Sequence, residues 1–362
     1  MTGAAATPLR VVQVGAGAMG RNWLRTIQAS PDVELVGVAD LDETLARSAL
    51  EAIGFRTEVA GSLGALLERV DADAVIDVTV PVAHTAVNVE ALFAGLPVLC
   101  EKPAAPTVAD AFVQAAAAEV TGRLLMISQS RRYYASLERY REAIAEIGGA
   151  GVLTTEFFRG PHFGGFREEM AHPLLVDMAV HAFDAARYLL GADPVSVWCE
   201  AWNPSWSWFD GDAAACAVFR FDDGTRYQYT GSWVAEGLET SWNGVWRASG
   251  PDGTATWDGE HRVRSSARGD ADLAPGAAEE IAGALAEFVS AVRSGEEPSG
   301  AIGRNIRSLA MVEAAVESAE TGRRVEIAEL LARARASAIE RAPRQDLRGA
   351  LEAMSATASS SA

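Results

Sequence analysis

The chain has 362 residues, 49% of them hydrophobic and 22% charged, with a formal net charge of -18. These values describe an ordinary soluble globular protein long enough to form two domains. The acid excess excludes the basic stripe that nucleic acid or an anionic membrane would need, and leaves small neutral or cationic ligands. Cys100, Cys199 and Cys216 are widely spaced with no Cys-x-x-Cys, which points to a reducing compartment, the cytoplasm, and to no metal site. Residues 1–10 lack the basic start and apolar core of a secretory signal, and no apolar run reaches the length of a transmembrane helix.

Residues 9–14 read as a short strand that runs directly into Gly15-Ala16-Gly17-Ala18-Met19-Gly20. Helical character follows over residues 22–29, then a second strand over 33–40 that ends in Asp40. Strand, glycine loop, helix, strand and terminal acid in this order form a dinucleotide-binding signature. Gly15 permits the tight turn, Gly17 lets backbone approach a pyrophosphate, and Gly20 lets helix and strand pack closely. The amides around Ala18 and Met19 open the helix toward the phosphates. Asp40 stands where a carboxylate accepts both ribose hydroxyls and repels a 2′-phosphate, so NAD is favoured over NADP. The competing reading makes Asp40, with Asp42 and Glu43, a helix-capping acid.

A third strand over 74–81 carries Thr79 and ends in Pro81, with His84 just inside the next helix. These three are expected at the nicotinamide edge of the cofactor site, although a lone histidine is more often a capping or packing residue. The strand over 96–100 delivers Glu101-Lys102-Pro103, again on the cofactor side. Lysine and arginine together number 31, and Lys102 is the only lysine. An ammonium group is compact and reaches a single oxygen, unlike the planar guanidinium chosen everywhere else. Lys102 at the end of a buried strand is therefore the first candidate for chemistry. A helix over 107–120 and a strand over 123–128 complete a first domain of residues 1–130.

The second region opens with a helix over 136–147 and a strand over 152–158. A polar loop over 163–173 contains Arg167 and His172, candidates for substrate contact, and a helix over 174–190 follows. Asp177 and His181 are four apart and share one helix face, where the carboxylate can hold the imidazole. Asp184, three further on, is a candidate partner for His181. Five strands are expected between 195 and 258, with turns at Asp222-Asp223-Gly224 and Pro251-Asp252-Gly253. Eight of the nine tryptophans fall in this region. Those flanking Asn203-Pro204-Ser205, namely Trp202, Trp206 and Trp208, are either core and interface residues or the lining of a sugar or aglycone pocket. Helices over 278–294, 305–321 and 326–341 close a second domain of residues 131–345, leaving 346–362 as a disordered tail.

The glycine loop, Asp40, Pro81 with His84, Glu101-Lys102-Pro103 and Asp177-Met178-Ala179-Val180-His181 together resemble the glucose-fructose oxidoreductase / inositol dehydrogenase / MocA family. The resemblance implies an α/β protein: an N-terminal Rossmann domain followed by an α/β domain with a large open, mostly antiparallel sheet. It implies that Lys102 touches both nicotinamide and substrate, and that copies join through that sheet as dimers or tetramers. Family members often carry glycines where this chain has His172-Pro173 and Met178-Ala179, a departure that bears on the substrate. The expected activity is NAD-dependent oxidation of a secondary hydroxyl of a sugar, sugar derivative or cyclitol, with His181 as general base, Lys102 on the same oxygen and Asp177 on a neighbouring hydroxyl. Two alternatives stay open: tightly bound NAD serving epimerisation, elimination or glycoside cleavage, and a cofactor-sensing regulatory protein without turnover.

Overall fold

In the computed structural model, which describes residues 7–354, the chain divides into two compact units. One is drawn from the residues up to Ser130, Ile281–Ile306 and the residues from 334; the other from Arg131–Glu280 and Arg307–Arg333.

The first unit is built on a six-stranded parallel sheet of β1 (Leu9–Val14), β2 (Val33–Ala39), β3 (Glu58–Ala60), β4 (Ala74–Asp77), β5 (Val98–Glu101) and β6 (Leu125–Ser128), in the order β3-β2-β1-β4-β5-β6. Every residue of β4, β5 and β6 is buried, as expected where helices cover both faces of a parallel sheet. The strand order reverses between β1 and β4, so the loops after these two strands border a crevice that suits a dinucleotide.

Two later segments join this unit, although the expected second domain included most of them. Ile127 N donates to Gly300 O at 2.8 Å, and Gly300 lies so close that an added Cβ would sit 2.5 Å from Ile127 O. The expected tail is also corrected: Gln345–Ala353 is a helix that buries Leu347 and Leu351, and Arg344 lies 4.1 Å from the Phe93 ring centroid. The four-residue spacing of those leucines is an apolar stripe that docks a short helix. The remainder of that expected tail, 355–362, lies outside the described residues.

The second unit carries a nine-stranded mixed sheet. Its strands are β7 (Val152–Phe158), β8 (Pro194–Trp202), β9 (Ala214–Phe221), β10 (Arg226–Ser232), β11 (Val245–Gly250), β12 (Gly253–Trp257), β13 (Arg262–Ser265), β14 (Gly269–Asp272) and β15 (Val325–Glu326). The order is β14-β13-β12-β11-β7-β10-β9-β8-β15, and among these only β7 and β10 run parallel. Side chains alternate across it. One face buries Phe219, Tyr227, Tyr229, Trp246 and Trp257, with Phe183 of the helix Val180–Leu190 packed edge-on against Phe219 and Tyr229 at 4.8 and 5.3 Å. The other face leaves Val152, Trp198, Trp202, Val218 and Val245 exposed.

Candidate active site

The residues expected to hold the cofactor lie in the first unit. Gly15 has φ +99°, and an added Cβ would lie 2.6 Å from Val78 O; at Gly20 it would lie 2.4 Å from Gly15 O. Around Gly17 nothing lies within 4 Å of that position, and Ala18 and Met19 at the start of the helix Ala18–Ala29 are exposed. The loop is thus closed by its own backbone on the inner side and open on the outer one, the cradle a pyrophosphate requires. Gln13, fully buried, fastens both ends of the loop by donating from Nε2 to Gly15 O (2.7 Å) and Gly20 O (3.0 Å). Gln13 is not among the residues expected from the sequence, where its signal is a lone amide in an apolar strand two residues before the loop.

Asp40 accepts from Ala16 N at 2.7 Å and from Asp42 N at 2.9 Å. Helix capping falls to Asp42, which accepts from the amides of Thr44 and Leu45. Asp40 therefore latches the glycine loop, and each of its oxygens retains a lone pair for a ribose hydroxyl.

The Lys102 loop is held from below. Glu101 accepts from Trp23 Nε1 at 2.8 Å and from Lys102 N at 3.1 Å; burial pushes its carboxyl up, against the Trp23 bond and the Lys102 charge. His84 is fully buried, with Nδ1 2.9 Å from Pro103 O and Nε2 3.1 Å from Thr79 O. It clamps the end of β4 to the Lys102 loop and presents no surface to a cofactor, which corrects the expected direct contact. Beside it, Thr79 donates its amide and hydroxyl to Asp77 at 3.0 and 2.7 Å. Polar atoms of Asp77, His84 and Cys100 lie within 4.8 Å of one another. Burial pushes both Asp77 and Cys100 up, and the Cys100 thiol faces Asp77 Oδ2 and Glu101 O. Pro81 begins the helix Pro81–Phe93, where its missing N–H costs nothing. Lys102 itself is partly exposed.

The other expected site residues lie in the second unit. Where one continuous α-helix is expected over 174–190, Leu174–Ala179 forms a π-helical turn that passes into the α-helix Val180–Leu190. Such turns rotate the side chains that follow and recur at functional sites. Asp177 accepts from Arg167 Nε at 2.7 Å, so Arg167 holds a carboxylate. His181 borders a narrow cavity lined also by Met178, Phe157, Tyr229, Trp242 and Asn243.

Two expectations change here. Asp184 does not serve as an auxiliary to His181: it is buried in a two-pronged pair with Arg132, at 2.7 and 2.6 Å, and also accepts from Ser308 Oγ at 2.6 Å. His172, expected as a substrate contact, stands between Asp212 and Glu320, at 3.2 and 3.3 Å, and ties the loop before the π turn to the loop after β8. Its carboxylate partners come from distant segments, so local spacing gave no sign of them.

Residues 9–129 match the family described as "Oxidoreductase family, NAD-binding Rossmann fold", and residues 142–256 match the "GFO/IDH/MocA C-terminal domain". The chain is 26% identical over 345 residues to the D-apiose dehydrogenase of Paraburkholderia graminis, covering 89% of this chain and 90% of that protein. It is 31% identical over 193 residues to the inositol 2-dehydrogenase of Ralstonia nicotianae, covering 52% of this chain and 56% of that protein. Among solved structures, an oxidoreductase from Agrobacterium radiobacter in complex with NAD+, L-tartaric acid and magnesium shares the fold, with a TM-score of 0.83 at 21% identity over 90% of this chain and 100% of that one. Gly17, the exposed helix start and Asp40 fit NAD, the cofactor of the matched family. Both units fall under one family description, and the chain belongs to the GFO/IDH/MocA family of NAD-binding oxidoreductases.

Proposed function

We propose that the protein oxidises a secondary hydroxyl of a sugar, sugar derivative or cyclitol to a ketone. NAD, when bound, supplies the hydride acceptor. His181 takes the hydroxyl proton as general base. Lys102 donates to the same oxygen and stabilises the charge that develops there. Asp177, held by Arg167, accepts from a neighbouring hydroxyl and orients the ring. Glu101 and His84 position the Lys102 loop, and His172 steadies the loop of Arg167. The observation that carries this reading is the fastening of the sole lysine's loop by the buried Glu101 and His84, beside the naming of relatives as D-apiose and inositol dehydrogenases.

A second copy of the chain is the natural cover for the open sheet face, whose Val152, Trp198, Trp202, Val218 and Val245 are exposed; we infer a homodimer or homotetramer, to be read by light scattering. The three cysteines are free thiols, in keeping with the cytoplasm. No helix among the described residues is long and apolar enough to cross a membrane.

The test is a panel of monosaccharides, sugar derivatives and cyclitols with NAD, followed by NADH absorbance. Free NADH should accumulate with at least one of them, and His181→Asn should remove most of that rate together with its decline toward acid pH. NADH that forms yet stays bound while the sugar product is an epimer, an eliminated sugar or a cleaved glycoside replaces net oxidation by a closed redox cycle. Binding of NAD with no reaction of any substrate would leave a cofactor sensor.

A further inference from the structure

The loop after β8 carries Trp206 and Trp208, which neither the hydride chemistry nor the core accounts for. Trp206 is 69% exposed although its Nε1 donates to Val234 O at 3.0 Å. Trp208 donates to Pro161 O at 3.1 Å and stacks on His162 with ring centroids 3.8 Å apart. Each indole has committed its only donor to the backbone. What it offers a ligand is an apolar face in a fixed orientation.

From Trp208 the ring contacts continue through Phe209 and Trp233, which are 3% and 1% exposed and so back the strip from inside the core, leaving the rings at its ends to face a ligand. Phe209 lies 5.9 Å from Trp208 and 5.8 Å from Trp233, Phe163 packs edge-on to Trp233 at 5.3 Å, and Trp242 lies 6.4 Å from Phe163. Trp242 also lines the cavity beside His181. At the same end Arg167, the partner of Asp177, lies over Phe163 and Phe166 at 5.3 and 4.9 Å. The strip is rigidly attached to that site: Asp210 N donates to Glu168 O and Asp212 N to Ala171 O, both at 2.8 Å. Gly211 approaches so closely that an added Cβ would sit 2.2 Å from Ala171 O. Phe166 is 61% exposed and Phe163 is 43% exposed, so the strip ends in open aromatic faces.

The cationic groups along it are paired internally. Arg159 pairs with Glu239 at 3.0 Å, Arg167 with Asp177 at 2.7 Å, and His162 faces Glu236 at 3.2 Å. A phosphate or carboxylate on a ligand would have to break one of these pairs, whereas an uncharged ring stacks on the aromatic faces without doing so. We propose that the strip is a subsite for a second, uncharged ring joined to the reacting sugar or cyclitol, so that the substrate is a neutral glycoside and neither a free monosaccharide nor a nucleotide sugar. This rests on the reading of the protein as a sugar or cyclitol dehydrogenase.

The test uses the full chain with NAD. Phenyl β-D-glucopyranoside, galactopyranoside and xylopyranoside are compared with the free sugars and myo-inositol, and the readout is the ratio of kcat/KM for each glycoside to that of its parent sugar. At least one glycoside should exceed its parent about tenfold or more, and that ratio should fall about tenfold in Trp206→Ala and in Phe166→Ala. Trp206→Phe, which keeps a ring, should restore most of it, a recovery that a misfolded protein would not give. No glycoside ahead of its parent sugar, or an advantage that survives both alanine variants, overturns the subsite. So does a Trp206→Ala protein whose mass by light scattering changes while the ratio does not, since a second copy then covers the strip. Turnover of free sugars alone removes the subsite and leaves the dehydrogenase reading standing, whereas no NADH from any compound removes both.

Discussion

Trp23 Nε1 donates to Glu101 Oε1 at 2.8 Å inside the first unit, where Trp23 has no exposed surface and Glu101 has 8%. The bond joins the helix that opens at the glycine loop to the residue immediately before Lys102. Cofactor loop and lysine loop therefore share one buried fastening. Trp23→Phe deletes the donor and one of the two fused rings, and should cost about 1.5–3 kcal/mol for a hydrogen bond to a charged group, with the cost of the cavity added to it. Turnover should fall more than NAD affinity, because the glycine cradle and Asp40 remain. Urea unfolding checks the first part, and turnover beside equilibrium NAD binding the second; unchanged stability would mean that the bond contributes nothing.

Burial raises the Asp77 carboxyl above its ordinary value of 3.8. As pH rises through that value the unfolded chain ionises first while the folded one keeps its proton. The folded state then binds more protons, so stability must fall with rising pH until the folded carboxyl also ionises. Asp77→Asn retains an acceptor for the Thr79 amide and hydroxyl and carries no charge. The stability of the native protein relative to this variant should decline across that window, starting near pH 4. Urea midpoints taken over a pH series would expose a flat or rising difference, either of which contradicts the buried, raised carboxyl.

Arg132 and Asp184 form a two-pronged pair in which the side chains are 6% and 2% exposed. Removing one partner strands the other charge, so Arg132→Met should destabilise by about 3–5 kcal/mol. Replacing both, Arg132→Met with Asp184→Leu, should recover much of the loss, because an apolar pair leaves no stranded charge. Chemical denaturation of the single and double variants decides it: a loss below about 1 kcal/mol is what an exposed pair gives.

Lys102 is the only lysine in the chain. If its amine donates to one oxygen, a guanidinium misplaces that contact, and about 1 Å of misplacement can cost roughly a hundredfold. Lys102→Arg and Lys102→Met should each lose about a hundredfold or more in turnover, about 2.7 kcal/mol of transition-state stabilisation. NAD affinity should fall far less. An arginine variant within about tenfold of the native rate would show that charge alone suffices.

The strand, glycine loop, helix and strand of the dinucleotide fold were legible because they are neighbours in the chain. Leu9–Val14, the glycine loop, the helix and Asp40 follow one another within about one supersecondary unit, and the sheet order of the first unit adds only the crevice between β1 and β4. Pro81 is an exception: expected as the end of a strand over 74–81, it opens the next helix, and β4 stops at Asp77. The glycine positions, the lone lysine and the four-residue spacing of Asp177 and His181 needed no knowledge of the fold.

Partner choice was another matter. Trp23 and Glu101 are 78 residues apart, Arg132 and Asp184 52, and Asp184 and Ser308 124. Spacing along a helix put Asp184 on the stripe of His181, yet a buried carboxylate goes to the best available cation, and only the packing of the second unit brings Arg132 to it. Likewise His84 was legible as a histidine at a helix start, while its role as a clamp depends on the carbonyls of Thr79 and Pro103 arriving on both sides of its ring. The sequence alone determined what its short-range periodicities and backbone freedoms encode: the dinucleotide loop, most but not all of the strands and helices, and the chemical types at the candidate site. Tertiary structure alone decided which buried polar group satisfies which other, because desolvation forces each to find a partner and the nearest in space is seldom the nearest in the chain.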